Sequence, residues 1–336
     1  MESQKELFIG IDIGGTNTKI GLVDLRGNII SLSSIPTHQF DNPEAYFTSV
    51  CNEVDAIASQ SKKIGKIAGI GIGAPCANPI SGIIEDAANI SWLNGFNVEV
   101  SLSSIYNIPV KLDNDANAAA KGEMIFGGAQ TMKEFMVITL GTGLGSGIVS
   151  NGRLVYGRHG LAGEIGHTII VPNGRKCGCG RRGCLETYVS GTGIVRTVAE
   201  LMADEFQFES ELANIPFNKI TAKQVAKLAK QGDAIAFKAF EKAGKTLGFA
   251  LANSVAYFEP QTIFLTGGLT QGKGLLLKHT IKAFEANLLN IYQNEINIQI
   301  SELPPNNAAV LGAAALVFNM QSPNKPDFQQ SENIYS

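Results

Sequence analysis

Apolar positions along this chain come in two spacings, and their alternation predicts an α/β protein. The run 7–13 is almost wholly apolar, breaks at a glycine turn (14–17) and resumes over 18–23. The run 135–140 does the same, breaking at Gly141–Thr142–Gly143 and resuming over 144–149. Each reads as a β-hairpin whose glycines let backbone come close to a ligand. Between them the pattern predicts a helix over 43–59, a buried strand over 67–73, a short helix around 100–105, a strand over 109–113 and a helix over 116–125. An irregular stretch, 151–184, interrupts the rhythm. Helices then run to Glu259, one long one starting at Asp233, and Pro260 ends them. Strand 262–266, a helix, strand 296–300 and a helix over 307–318 complete the pattern. The repeated hairpin predicts a duplicated domain with a ligand cleft between the copies. The expected division is 1–118 with 307–320, then 119–306, and a polar, mobile tail over 321–336.

Two common nucleotide motifs do not fit. Gly143, Gly145 and Gly147 imitate a dinucleotide fingerprint, but a strand follows them where that motif needs a helix. No Gly-Lys-Ser/Thr run precedes a helix, so there is no P-loop. Two glycine turns facing one another would instead hold a polyphosphate between them.

Composition narrows the setting. The chain has 336 residues, 44% of them hydrophobic, enough for two cores. A formal net charge of -3 gives no basis for nucleic-acid binding. No basic run suits a membrane surface, no apolar stretch reaches the ~20 residues of a span, and the first residues do not form a signal peptide. A cytoplasmic protein without nucleic-acid or membrane partners is expected. Of five cysteines, Cys51 shares an apolar helical face with Phe47, Val50, Val54 and Ile57, and Cys76 has no evident partner.

Three constellations carry chemistry. Asp113, Asn114, Asp115 and Asn117 crowd the end of a strand just before an alanine-rich helix. Asn114 or Asp115 can serve only as a helix cap; the alternative is a general base with amides that bind hydroxyls. His167, Cys177, Cys179 and Cys184 have the spacing His-x9-Cys-x-Cys-x4-Cys, one imidazole and three thiolates, which is a closed tetrahedral set for structural Zn²⁺; reduced cysteines without metal are the alternative. Gly178, Gly180 and Gly183 would let the backbone wrap the ion. Glu164 and Glu186 flank this loop, either as surface acids or as ligands for sugar hydroxyls. Gly267 and Gly268 end a strand, where a flat ring could lie against backbone or where the chain simply turns.

Together these segments resemble the ROK family (repressor, open reading frame, kinase) of sugar kinases, within the actin-like ATPase superfamily, over about residues 7–318. Asp12–Thr16 resembles the first phosphate motif, Gly141–Gly147 the second and Thr266–Gly268 the adenosine motif. Residues 163–167 and 177–186 resemble the family signature and zinc loop. The resemblance implies duplicated actin-like (ribonuclease H-like) domains and an ATP-dependent hexose kinase. It implies glucose as the first choice, with N-acetylmannosamine, N-acetylglucosamine or fructose as alternatives. ATP with Mg²⁺ would contact Asp12, Gly14, Gly15, Thr16, Asn17, Lys19, Gly141, Thr142, Gly143, Gly267 and Gly268. Asp115 would be the general base; Asn89, Asn114, Glu164, His167 and Glu186 would hold the sugar, His167 also binding zinc. Homodimers are frequent in the family. Two positions depart from its pattern: Cys76 stands where glycine often follows Pro75, and Ala88 where proline often precedes Asn89. ROK repressors add an N-terminal helix-turn-helix, for which the expected position of Asp12 leaves no room.

Overall fold

The computed structural model describes residues 5–61, 64–204, 209–272 and 274–318. The expected mobile tail lies outside them. The first half contains strands β1 (Lys5–Ile13), β2 (Thr18–Asp24) and β3 (Ile29–Ile35), helix α1 (Pro43–Ser61), strand β4 (Gly65–Ala74), the ribbon β5 (Ala77–Asn78) and β6 (Ile83–Ile84), helix α2 (Val98–Tyr106), strand β7 (Val110–Asn114) and helix α3 (Asp115–Phe126). Its sheet has the order β3-β2-β1-β4-β7. β1, β2 and β3 are antiparallel neighbours, and β1, β4 and β7 run parallel.

The second half repeats this plan. It holds β8 (Phe135–Leu140), β9 (Leu144–Ser150), β10 (Arg153–Leu154), α4 (Glu186–Val189), α5 (Gly191–Asp204), α6 (Ala222–Lys230), α7 (Ala234–Phe258), β11 (Thr262–Thr266), α8 (Leu277–Asn287) and β12 (Asn297–Ile300). The order β10-β9-β8-β11-β12 has the same pattern of antiparallel and parallel neighbours as the first sheet. The duplication expected from the two hairpins is therefore present at the level of whole sheets. The strand β3 has no counterpart in the sequence reading. Serines at 31, 33 and 34 interrupt its apolar residues, and Ile30 and Leu32 are exposed while Ser31 and Ser33 are half-buried, so it lacks the continuous apolar run that marks β1 or β8.

Two helices place the cleft. The last helix, α9 (Ala308–Ala315), returns to the first sheet and packs on β1 and β4. Gly10 and Gly71 make that possible: a Cβ at either position would collide with the carbonyl oxygen of Val310 or Ala313. Where α9 crosses α3, a Cβ on Gly122 would lie only 3.0 Å from Gly312 Cα. The first turn of α3 leans on the other sheet, since a Cβ on Gly147 would sit 2.5 Å from the Ala116 carbonyl. Thus α3 starts at the seam between the halves; the division expected after residue 118 falls within this helix. Among the described residues no helix is long and apolar enough to cross a membrane.

Candidate active site

Strand β7 hands the chain to α3 at the seam, and this junction carries Asp115. Asn114 is the N-cap, its side chain accepting from Ala116 N (2.9 Å). The cap role thus falls to Asn114, leaving Asp115 as the first helical residue with a carboxylate open to the cleft. Asp115 Oδ1 lies 4.0 Å from where a Cβ on Gly145 would stand, so it faces β9 of the opposite half. Solvent reaches Asp115, yet protein surrounds it on both sides of the cleft. That enclosure raises its pKa against the lowering effect of the Ala116 N–H and its own.

Asp12 sits near the end of β1, opposite Lys19 across the first hairpin. Burial, then repulsion by Asp115, pushes its pKa from 3.8 to about 6, with Lys19 pulling the other way. Two carboxylates thus share the gap with one nearby ammonium, itself donating to the Asn306 carbonyl at 3.1 Å. This donor set suits a cation carried in with a polyanion. The first turn closes through Gly14 N to Asn17 O (3.1 Å). Asn89 lies against it: a Cβ on Gly15 would be 2.9 Å from Asn89 Cβ.

The second turn is held from behind. Gly141 N donates to Gly143 O (3.0 Å), and Gly191 N to Gly141 O (2.8 Å). Glu186, heading α4, accepts from Leu144 N at 3.0 Å, and a Cβ on Gly143 would come 2.5 Å from that same carboxylate oxygen. Glu186 Oε1 lies 3.9 Å from Cys177 Sγ. One side chain therefore joins the second turn to the cysteine cluster.

The ligand atoms of His167, Cys177, Cys179 and Cys184 all lie within 4.8 Å of one another. Cys177 Sγ is 3.6 Å from His167 Nδ1, and Cys179 Sγ is 3.6 Å from Cys184 Sγ. A tetrahedral Zn²⁺ with Zn–S bonds of ~2.3 Å needs sulfur separations of about 3.8 Å, so the four residues fit that ion. Gly180 and Gly183 adopt positive φ, as wrapping requires, and Gly178 does not. Nε2 of His167 lies 4.0 Å from Glu164 Oε2, beyond hydrogen-bond distance. Burial raises the Glu164 pKa; His167 lowers it, while Asp115 and Glu186 raise it. Cys76 takes a left-handed φ of 53° beside this group, and burial followed by the charges of Glu164 and Asp115 raises its thiol pKa. Cys51 is half-buried against the core of the first half.

The ROK family pattern matches residues 8–320. The chain belongs to the ROK family. It is 36% identical over 313 residues to a glucokinase of Halalkalibacterium halodurans, covering 92% of this chain and 94% of that one. It is 29% identical to the DNA-binding transcriptional dual regulator NagC of Escherichia coli, covering 92% of this chain and 74% of the regulator. A crystal structure of a ROK family glucokinase from Streptomyces griseus, in complex with glucose and AMPPNP, superposes with a TM-score of 0.77 at 32% identity, covering 92% and 98% of the two chains. The fold is accordingly that of the actin-like ATPase superfamily.

Within this ROK chain, Gly141, Thr142 and Gly268 line a cavity of about 1300 Å³. Gly143 and Gly267 are not among its lining residues; Gly267 instead packs its left-handed backbone against Leu140. Much of the wall comes from residues that sequence reading missed, among them Phe217, Asn218, Thr221 and Gln224. Thr221 and Gln224 form a reciprocal capping box at the start of α6. That box was visible as Thr-x-x-Gln before an apolar run, but it marks a helix start and says nothing of a cavity. Arg196, Lys223, Lys227 and Lys230 also line it, with no acidic residue, so the cavity favours an anionic ligand.

Proposed function

We propose that this chain is an ATP-dependent hexose kinase, with glucose as its first substrate and Asp115 as general base. The observation that carries this reading is that Asp12, at the first glycine turn, and Asp115, against β9 beside the second, lie near enough to repel one another. Phosphoryl transfer asks for position and charge neutralisation more than covalent chemistry. In this reading the nucleoside occupies the cavity beside Gly268, with Gly267 shaping its edge. Backbone N–H groups of Gly14, Gly15, Thr16 and Asn17 on one side, and of Gly141, Thr142 and Gly143 on the other, receive the phosphates. Asp12 would hold the Mg²⁺ that accompanies ATP, and that ion supplies neutralisation of phosphate charge. Lys19 balances the local carboxylates. Asp115 takes the proton of the attacking hydroxyl, for a hexose the one on C6.

Asn89, Asn114, Glu164, His167 and Glu186 hold the remaining hydroxyls. His167, Cys177, Cys179 and Cys184 would hold zinc, which stiffens the loop carrying Glu164 and Glu186. The two halves, which meet at α3, close on one another in this reading, and their closure excludes water from the transferred group. A cytoplasmic homodimer completes the reading, and sedimentation of the purified chain tests the dimer. The deciding assay couples ADP release to a panel of glucose, fructose, N-acetylglucosamine and N-acetylmannosamine, with DNA binding measured in parallel. Glucose-dependent ADP release that disappears in Asp115→Ala is expected. No sugar-dependent release, with sugar-responsive DNA binding in its place, would overturn it.

A further inference from the structure

Asp113 is wholly buried. It stands at the end of β7, one residue before Asn114. Its Oδ1 accepts from Asn114 N (2.7 Å) and from Asn117 Nδ2 (2.9 Å). Its Oδ2 accepts from the Tyr156 hydroxyl at 2.7 Å. The first two bonds lie within the β7–α3 junction and hold the backbone on either side of Asp115. The third comes from the other half. Tyr156 follows β10, and its ring packs with the buried cluster of Leu154, Val137 and Phe264.

Tyr156 is also the root of the loop that carries Glu164 and His167. Ala162 N donates to the Tyr156 carbonyl (3.0 Å), closing the first turn of that loop. Farther along, the Ser146 hydroxyl holds the Gly163 carbonyl. A second bond across the seam, Asn78 Nδ2 to His159 O (3.1 Å), fastens the same loop to the β5 ribbon. The Tyr156–Asp113 bond is thus the one that runs from the loop's root to the carboxylate bracing Asp115. A buried carboxylate is costly unless its lone pairs are taken. Here three donors take them, one of them from across the seam.

We infer that Tyr156 and Asp113 form a positioning link: the hydroxyl–carboxylate bond keeps the Asn114–Asp115 turn in register with the Glu164–His167 loop of the opposite half. This inference rests on the reading of Asp115 as general base. Neither Tyr156 nor Asp113 touches substrate in it. The link acts on turnover because a displacement of the base by about an ångström is enough to cost a large factor in rate. It leaves the nucleotide cavity, which is lined by α5 and α6, untouched.

The test is steady-state kinetics on the full chain, at a temperature well below unfolding, for Tyr156→Phe, Asp113→Asn and the double variant. Tyr156→Phe deletes one oxygen and keeps the ring in place. The expected result is a kcat lowered about tenfold with KM for ATP within twofold of wild type. Asp113→Asn can keep its bonds, the amide donating to the Tyr156 oxygen, and is expected to retain more activity than Asp113→Ala. The double variant Tyr156→Phe/Asp113→Asn should be no slower than Tyr156→Phe alone, because loss of the Tyr156 hydroxyl already removes the link and the introduced asparagine still accepts from Asn114 N and Asn117 Nδ2 through its remaining oxygen. A kcat within twofold of wild type in Tyr156→Phe, with only a lowered Tm, would make the bond merely structural and overturn the inference; so would multiplicative losses in the double variant. Asp115→Asn measured alongside separates the two failures: if it is inactive while Tyr156→Phe is normal, the base reading stands and the link alone falls.

Discussion

Replacing Asp12 with Asn should make the ligand-free protein more stable while removing its activity. The folded chain holds this carboxyl at a pKa of about 6 against an ordinary 3.8, through burial and the charge of Asp115. At about 1.4 kcal/mol per unit of pKa, keeping Asp12 ionised in the folded state costs about 3 kcal/mol at pH 8. The sign follows from proton binding. Between 3.8 and 6 the folded state binds more protons than the unfolded one, so stability falls as pH rises through that window. The cost is absent below the window and complete above it. Asn copies the shape and neutrality of the protonated acid, and brings an amide desolvation cost of its own, about 1 kcal/mol. The net gain at pH 8 is about 2 kcal/mol. For a unit of 150–250 residues this raises Tm by about 4–8 °C. At pH 5 about half of the ionisation cost is already gone from the wild type, and the gap narrows to below about 1 kcal/mol. Differential scanning calorimetry of both proteins at the two pH values, without nucleotide or divalent metal, reads this directly. A variant no more stable than wild type at pH 8, or a gap equally wide at pH 5, refutes the electrostatic account of the site.

The other expectations are simpler. Asp115→Ala should lose turnover by several orders of magnitude yet bind hexose within a few-fold of wild type by calorimetry; near-normal turnover would remove its role as base. Gly71→Ala forces a methyl into the Ala313 carbonyl, so a loss of about 2–3 kcal/mol is expected, read as a lowered urea midpoint; a change below about 0.5 kcal/mol would mean that α9 does not seat on β4 as described. Elemental analysis should find one zinc per chain, and its chelation should lower Tm by several degrees, because the His167–Cys184 ligand set ties together a loop with little core of its own; a metal-free preparation of full stability would rule the site out.

Much of this was legible along the chain because it is local. Glycine turns, hairpin runs and the spacing of His167, Cys177, Cys179 and Cys184 all depend on neighbours within a few dozen residues; the turns and hairpins form, and the four side chains gather. The position of Asp115 at a strand–helix junction was legible too, since a dense run of Asp and Asn at a strand end is unusual. The cap, though, turned out to be Asn114, and sequence could not separate the two because both residues can accept from an N–H two positions on. Strand β3 escaped notice because serines break its apolar run and, at the sheet edge, Ile30 and Leu32 stay exposed.

Patterning of side chains, then, was enough to specify which segments are strands and helices, that two similar halves exist and which residues can ligate a metal. Pairing between distant segments lay beyond it. That α9 returns to cover Gly10 and Gly71, that α6 walls the cavity beside Thr142, and that Tyr156 reaches Asp113 from the other half are contacts between residues 40 to 300 positions apart along the chain. Such contacts depend on the shape and burial of whole sheets, and no local periodicity records them. The same holds for the altered Asp12 carboxyl, whose acidity is set by the closeness of the surrounding protein and by the charge of Asp115 at the start of α3.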